Sequence, residues 1–86
     1  MFFYTYVLQN TVNKSLYIGY TSNLKRRLEE HETNHRFTNK FHKPFKLIYY
    51  EACTKMVDAK RRESYFKTTQ GKRFLKIRLN EYQRTK

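Results

Sequence analysis

The residue types with the clearest chemical potential in this sequence are two tyrosines, an arginine, a histidine and a glutamate. They are Tyr6, Tyr17, Arg27, His31 and Glu63. A guanidinium is a planar, permanently charged donor suited to phosphate, and a carboxylate is an oxygen ligand suited to Mg²⁺. A tyrosine hydroxyl can orient a water molecule or take its proton. This combination indicates metal-assisted hydrolysis of a phosphodiester.

Two segments rich in aromatic and β-branched residues must position the tyrosines. Residues 3–9 and 15–20 are predicted strands, and the Asn-containing connector between them predicts a β-hairpin. Because strand side chains alternate between faces, Tyr17 and Gly19 share one face. A glycine near a strand end indicates a close approach of backbone or phosphate at that position.

Caps, apolar spacing and turn residues define the remaining elements. The predictions are a helix from a Ser22 or Asn23 cap to about His31, a strand over 44–51, a helix from a Thr54 cap to about Thr68 or Thr69, and, after Gly71, a last helix over about 72–83. The order ββαβαα predicts an α+β fold, in which a small, mainly antiparallel three-stranded sheet is flanked by three helices. Residues 1–86 are expected to form this one domain.

Helical geometry decides which side chains of the first helix reach the sheet. At about 100° per residue, Leu24 and Leu28 mark the buried side, and Arg27 and His31 lie at its edge. The charged side chains predicted to point away are Lys25, Arg26, Glu29 and Glu30.

Glu63 is unusual because it falls inside the apolar stripe of the second predicted helix. That stripe consists of Met56, Ala59 and Phe66. Burying a bare carboxylate costs several kcal/mol, so this side chain must be paired, protonated or bound to a metal. Pairing with Lys60 or Lys67 at helical spacing is the simpler alternative to metal binding.

The charge balance points to a polyanionic partner. The sequence has 19 Lys and Arg against 7 Asp and Glu, a formal net charge of +12. Nucleic acid, DNA ahead of RNA, is the expected partner. The predicted nucleic-acid contacts are Gly19, Lys60, Arg61, Arg62, Lys67, Lys72, Arg73 and Lys76. A membrane partner is not expected, because the basic residues surround most of each helix and no apolar run is long enough to span a bilayer.

Cysteine usage limits the structural chemistry that is available. Cys53 is the only cysteine, which excludes a disulfide framework and a Cys-rich zinc site. A single thiol is compatible with a reducing compartment, and a cytoplasmic location is the expectation.

The order of these motifs resembles the GIY-YIG nuclease superfamily, most closely its small standalone bacterial branch. The resemblance covers about residues 3–75, and its elements are Tyr4-Thr5-Tyr6, Tyr17-Ile18-Gly19, Arg27 with His31, and Glu63. The sequence departs from the family pattern in the first motif, where Tyr4 and Thr5 replace the glycine and the isoleucine. Tyr6, the tyrosine expected to carry chemistry, is retained.

The resemblance implies an endonuclease that uses a single Mg²⁺ or Mn²⁺ ion. Glu63 would hold the metal, and Arg27 would neutralise charge on the phosphoryl oxygens. Either Tyr6 or Tyr17 would orient or deprotonate the attacking water, and His31 would relay that proton or bind phosphate. The small number of acidic residues agrees with one metal ion, since two-metal nucleases need several clustered carboxylates.

Other function classes fit the charge and the aromatic residues. A non-catalytic module on the same fold would bind DNA or RNA and stack bases on its aromatic rings. An RNA-directed protein and a basic structural protein are further alternatives, although the second gives no reason for an acid within the apolar stripe. The oligomeric state stays open.

Overall fold

An antiparallel sheet with the first hairpin strand at its centre organises the fold. The computed structural model describes residues 1–33 and 45–84, except for the side chains of residues 31–33. Its elements are β1 (Phe3–Asn10), β2 (Leu16–Thr21), α1 (Leu24–Thr33), β3 (Phe45–Cys53), α2 (Met56–Phe66), α3 (Thr69–Arg78) and α4 (Asn80–Arg84). The strand order is β2-β1-β3. The predicted α+β fold with a three-stranded antiparallel sheet is therefore confirmed.

The hairpin register places the two tyrosines of interest on one face. Tyr6 lies opposite Gly19, and Leu8 lies opposite Tyr17. The turn is fixed by the Asn10 side chain, whose Oδ1 accepts hydrogen bonds from two backbone amides of the connector, at 2.8 and 3.0 Å. Because pairing positions alternate between faces, this register brings Tyr6, Tyr17 and Gly19 together.

Asn23 is the cap of α1, one of the two predicted candidates. Its Oδ1 accepts a hydrogen bond from the Arg26 amide at 3.0 Å, which satisfies one free donor of the first turn. Leu24 and Leu28 are half-buried, as the helical spacing predicts. The helix continues to Thr33, slightly beyond the predicted end.

The boundaries of α2 differ from the prediction at both ends. The cap position is Lys55, which makes no side-chain capping bond, so the prediction of a Thr54 cap was wrong. The helix ends at Phe66, because Thr68 begins a new helix: its Oγ1 accepts from the Gly71 amide at 3.0 Å. A hydroxyl that caps the following helix cannot continue the preceding one.

Gly71 lies inside the first turn of α3 and does not separate two elements. A Cβ on Gly71 would overlap the carbonyl oxygen of Tyr65, so only glycine allows the ends of α2 and α3 to approach this closely. The predicted last helix is also divided, and α4 begins after Leu79. Tyr82 of α4 donates a hydrogen bond to Gln9 on β1 at 2.6 Å, which holds this last segment against the sheet.

The core lies between the sheet and the pair α2 and α3. Its central cluster of buried apolar side chains consists of Val7, Ile18, Phe66 and Leu75. Thr5 on β1 donates to the carbonyl of Ala59 at 2.9 Å, which ties α2 to the central strand. Met56 is 51% exposed, so the predicted apolar stripe is buried only from Ala59 onward. None of the helices in the described part of the chain is long and apolar enough to cross a membrane.

Candidate active site

A pocket along the outer edge of β2 collects four of the five residues singled out for chemistry. Its volume is about 340 Å³. The residues that line this β2-edge pocket are Tyr6, Leu16, Tyr17, Ile18, Gly19, Tyr20, Arg27, Glu63 and Lys67. The lining comes from β1, β2, α1 and the end of α2, so the fold joins parts of the sequence that are far apart. The side chain of His31, the fifth residue, lies outside the described part.

Tyr6 is packed against Gly19 within the pocket wall. Its side chain is 1% exposed, and a Cβ on Gly19 would be 2.5 Å from its hydroxyl oxygen. The predicted close approach at Gly19 is therefore made by a phenol. Burial, together with the nearby Tyr17, raises the pKa of Tyr6 to about 12, and the lowering effect of Arg27 is smaller. At neutral pH Tyr6 is a neutral hydrogen-bond donor and not a base.

Tyr17 has a different environment on the neighbouring strand. It is half-buried, and its ring stacks on Tyr6 with centroids 6.4 Å apart and planes 21° apart. The Tyr17 ring also makes an edge contact with Phe45, with centroids 6.2 Å apart. These two contacts restrict the ring to one orientation at the pocket.

Arg27 supplies a guanidinium with spare donor capacity. Its Nε is buried and has no hydrogen-bond partner among the described residues. The Oε1 atom of Glu30 lies 3.6 Å away, which is an ion-pair distance but too long for a hydrogen bond. A buried guanidinium nitrogen without an acceptor can accommodate an oxyanion.

Glu30 was predicted to point away from the sheet, and its side chain is 41% exposed. The carboxylate is half-buried and forms ion pairs with both Arg26 and Arg27. Its spacing of three residues from Arg27 is the sequence signal that could have indicated the pair. Tyr20, which also lines the pocket, was likewise not selected, although it directly follows Gly19.

Glu63 lies at the pocket with its side chain 18% exposed. Its Oε2 accepts a hydrogen bond from the Lys67 ammonium at 3.2 Å. The simpler alternative for this acid, pairing at helical spacing, is thus present and involves Lys67.

Among the described residues one carboxylate, that of Glu63, lines the pocket, and this limits which metal ions the pocket suits. The described residues contain no group of three His, Cys, Asp or Glu side chains that could hold an ion. A single hard oxygen ligand fits Mg²⁺, which keeps several waters and binds through one or two carboxylates plus substrate phosphate oxygens. Glu63 is the residue that could hold such an ion.

A second cavity of about 420 Å³ adjoins the pocket and shares Tyr20 and Arg27 with it. Its other lining residues are Phe3, Thr21, Ser22, Arg26 and Met56. Arg27 therefore stands between two depressions of the same surface.

The family model described as the GIY-YIG catalytic domain matches residues 2–82. This chain belongs to the GIY-YIG family. The match includes every element that lines the β2-edge pocket, so the pocket is part of the GIY-YIG domain itself.

Several proteins match this chain over most of its sequence and over most of their own length. A UPF0213 protein of Streptococcus agalactiae serotype V is 40% identical over 83 residues, covering 91% of this chain and 92% of the relative. A UPF0213 protein of Oceanobacillus iheyensis is 35% identical over 82 residues, covering 93% and 91%. The solution NMR structure of a UPF0213 protein from Bacillus halodurans matches with a TM-score of 0.53 and 29% identity, over 87% of this chain and 82% of that one. The GIY-YIG family model indicates a nuclease-type family, and the names of the UPF0213 relatives specify no activity.

Arg62 of the GIY-YIG domain was predicted to contact phosphate, but its guanidinium is engaged within the protein. It donates two hydrogen bonds to Glu51 on β3, at 2.8 and 3.1 Å. The same group lies over the rings of Tyr65, Phe66 and Phe74, at 4.7 to 5.0 Å from their centroids. Arg62 therefore links α2 to β3, and its contact with nucleic acid stays a prediction from the sequence.

The other predicted cationic contacts of the GIY-YIG domain are exposed. Arg61 pairs with Asp58 at 2.9 Å on the surface of α2, where both side chains are more than half exposed. Four further predicted contacts are also exposed on α2 and α3: Lys60, Lys72, Arg73 and Lys76. Their positions are compatible with contacts to a polyanion.

Proposed function

We propose that this protein is a metal-dependent endonuclease that hydrolyses phosphodiester bonds in nucleic acid, DNA ahead of RNA. The observation that carries the proposal is the common pocket lined by Tyr17, Arg27 and Glu63. A volume of about 340 Å³ is in the range of small-ligand sites and leaves room for a phosphate group with water. Membership of a nuclease-type family supports the same reaction class.

Glu63 would hold one Mg²⁺ or Mn²⁺ ion. When bound, the ion would act as a Lewis acid that polarises the phosphoryl oxygens of the substrate. The buried setting of Glu63 favours this role, because a carboxylate with only 18% exposure benefits from a cation partner.

Arg27 would bind the non-bridging oxygens of the phosphate. Its Nε makes no hydrogen bond among the described residues and has only a 3.6 Å ion pair with Glu30, so the guanidinium keeps donor capacity for an oxyanion. The charge that grows on these oxygens in the transition state would strengthen the contact.

The two tyrosines would act differently. Tyr17 would orient the attacking water, because it lines the pocket and its ring contacts the rings of Tyr6 and Phe45. Tyr6 would stay protonated, donate a hydrogen bond and support the Tyr17 ring, in line with its raised pKa. The predicted role of His31 in proton relay or phosphate binding is retained as a proposal from the sequence.

The test is cleavage of single-stranded, nicked, flapped and branched DNA, and of matched RNA, with Mg²⁺ or with EDTA. Glu63→Gln should lower the cleavage rate by a factor of about 10² or more, since removing one transition-state stabilising group costs that much in other enzymes. Asp58→Asn, on an exposed face of the same helix, is the control and should cleave at the parent rate. Parent-like cleavage by Glu63→Gln would overturn the metal assignment.

The ion pair between Glu63 and Lys67 favours a second candidate, a non-catalytic nucleic-acid-binding module. The pair neutralises the half-enclosed carboxylate without any metal. This alternative predicts that the parent protein binds every substrate of the panel, with or without Mg²⁺, and cleaves none.

A further inference from the structure

We propose that Lys67 is a displaceable cation that competes with the divalent metal for Glu63, and that phosphate entering the pocket releases it. Metal and nucleic acid would then bind cooperatively. The inference rests on the proposed function, because it assumes that Glu63 is the metal ligand.

The first argument is the contact itself. The Lys67 ammonium lies 3.2 Å from Glu63 Oε2, so a positive charge already occupies one coordinating oxygen of the carboxylate. A metal ion that uses this oxygen must displace the ammonium or share the carboxylate with it. In either case the ion pair lowers the affinity of the protein for metal alone.

The second argument is the difference in exposure between the two partners. Glu63 is 18% exposed and held on α2, whereas the Lys67 side chain is 56% exposed. Lys67 follows the last residue of α2, so its flexible stem can turn away without disturbing the helix. The lysine is the mobile member of the pair.

The third argument is that a new partner for Lys67 would arrive in the same cavity. Lys67 and Arg27 both line the β2-edge pocket. A phosphate bound at Arg27 would attract the ammonium and free the Glu63 carboxylate. By thermodynamic reciprocity, nucleic acid must then raise the affinity for metal by the same factor as metal raises the affinity for nucleic acid.

The experiment measures Mn²⁺ binding by electron paramagnetic resonance of the free ion, which requires no catalysis. Lys67→Met should bind Mn²⁺ about fivefold more tightly than the parent in the absence of nucleic acid. An uncleavable phosphorothioate DNA oligonucleotide should tighten Mn²⁺ binding by the parent about fivefold or more, and by Lys67→Met distinctly less.

Lys60→Met is the matched control, because it removes the same charge from an exposed position on α2 three residues before Glu63. It should leave Mn²⁺ affinity within twofold of the parent, at about the limit of the assay. An increase in Mn²⁺ affinity as large as that of Lys67→Met would show a general charge effect and overturn the inference.

The variants also separate this inference from the proposed function. Mn²⁺ binding that disappears in Glu63→Gln but is unchanged in Lys67→Met would overturn the competition and leave the metal assignment intact. Mn²⁺ binding that is unaffected by Glu63→Gln would overturn both. Tighter binding in Lys67→Met with loss of coupling to the oligonucleotide is the result that supports the inference.

Discussion

Tyr6 and Tyr17 stack on each other, yet their surroundings differ. Tyr6 is 1% exposed and has a raised pKa of about 12, whereas Tyr17 is half-buried at the pocket. Two tyrosines in similar sequence motifs are thus distinguished only by the fold. The sequence alone could not choose between them as the residue that handles water, because strand alternation places both on the same face.

The raised pKa of Tyr6 predicts how stability depends on pH. The pKa of Tyr6 in the folded state exceeds the unfolded value of 10.0. Its contribution to the free energy of unfolding is therefore fully present below about pH 10 and is lost as the pH rises through about 12. The free energy of unfolding of the parent should fall across this range. In Tyr6→Phe the fall should be shallower, as measured by urea unfolding at several pH values. An unchanged pH slope in Tyr6→Phe would contradict this assignment.

Cleavage activity should fall even when Arg27 is replaced by a residue of the same charge. Lysine carries the same charge but lacks the planar fork that binds phosphate. We expect Arg27→Lys to lower kcat/KM for DNA cleavage by about 10²-fold.

Arg26→Lys is the control for this substitution. Arg26 lies next to Arg27 on α1, shares Glu30 as a partner and is 64% exposed. The Arg26→Lys variant should cleave DNA at nearly the same rate as the parent. Equal losses in both variants would show that the effect comes from α1 stability and not from a phosphate contact.

At the scale of elements, the contact between Arg62 and Glu51 joins α2, which carries Glu63, to the edge strand β3. Burial alone would raise the pKa of Glu51, but hydrogen bonds from Arg62 and Tyr49 outweigh it and hold the pKa below its ordinary value. The contact therefore helps to fix the position of α2 against the sheet, and with it the position of Glu63.

Glu51→Gln should lower the free energy of unfolding at pH 7 by about 1–2 kcal/mol, since it weakens hydrogen bonds to a charged, partly exposed group. The depressed pKa means that this contribution is present above about pH 4.5 and is lost as the pH falls through the folded-state pKa. The variant should therefore lose less stability than the parent on acidification.

Asp58→Asn supplies the comparison, because it removes a carboxylate from an exposed pair on the same helix. Asp58→Asn should lower the free energy of unfolding at pH 7 by less than about 0.5 kcal/mol. A cost equal to that of Glu51→Gln would mean that the α2–β3 contact has no special importance.

Local sequence signals identified the hairpin and α1 but not the later helix boundaries. The strand alternation and the Asn10 turn are encoded by neighbouring residues, as is the Asn23 cap. By contrast, the position of Gly71 depends on the Tyr65 carbonyl of the preceding helix, and Thr54 was a plausible cap that the chain does not use. These boundaries are determined by packing between elements, and a local sequence pattern does not encode that packing.

The same limit applies to individual charges at the site. Arg62 looked like its neighbours in a basic run, and only the fold brings Glu51, eleven residues earlier, to its guanidinium. The pocket could be anticipated because its motifs occur in the order of a known family. The ion pairs of Glu30 with Arg27 and of Lys67 with Glu63 were visible as helical spacings, but spacing alone does not choose among competing partners.

For the whole molecule, the dominant property is the net charge of +12. The exposed cations of α3 add to a field that should attract nucleic acid independently of its sequence. Binding of this kind releases counterions and weakens steeply as salt is added.

Removing three exposed cations of α3 tests this contribution. The variant Lys72→Ala, Arg73→Ala, Lys76→Ala should reduce the magnitude of the slope of log K against log salt by about 2–3, in line with about 0.9 per phosphate contact on duplex DNA. Fluorescence anisotropy with labelled DNA at several salt concentrations measures the slope. Arg84→Ala, whose side chain pairs with Glu81, should leave the slope nearly unchanged. Identical slopes in the parent and the triple variant would exclude these contacts.

The close packing of Tyr6 against Gly19 makes these two positions interdependent for any attempt to redesign the site. Even a methyl group at position 19 would need the space that the phenolic oxygen now fills. A mutational library that varies position 19 alone would therefore explore side chains that clash with the Tyr6 phenol. Pairing a small side chain at position 6 with a larger one at position 19 would test whether the hairpin tolerates an exchange of volume across its strands.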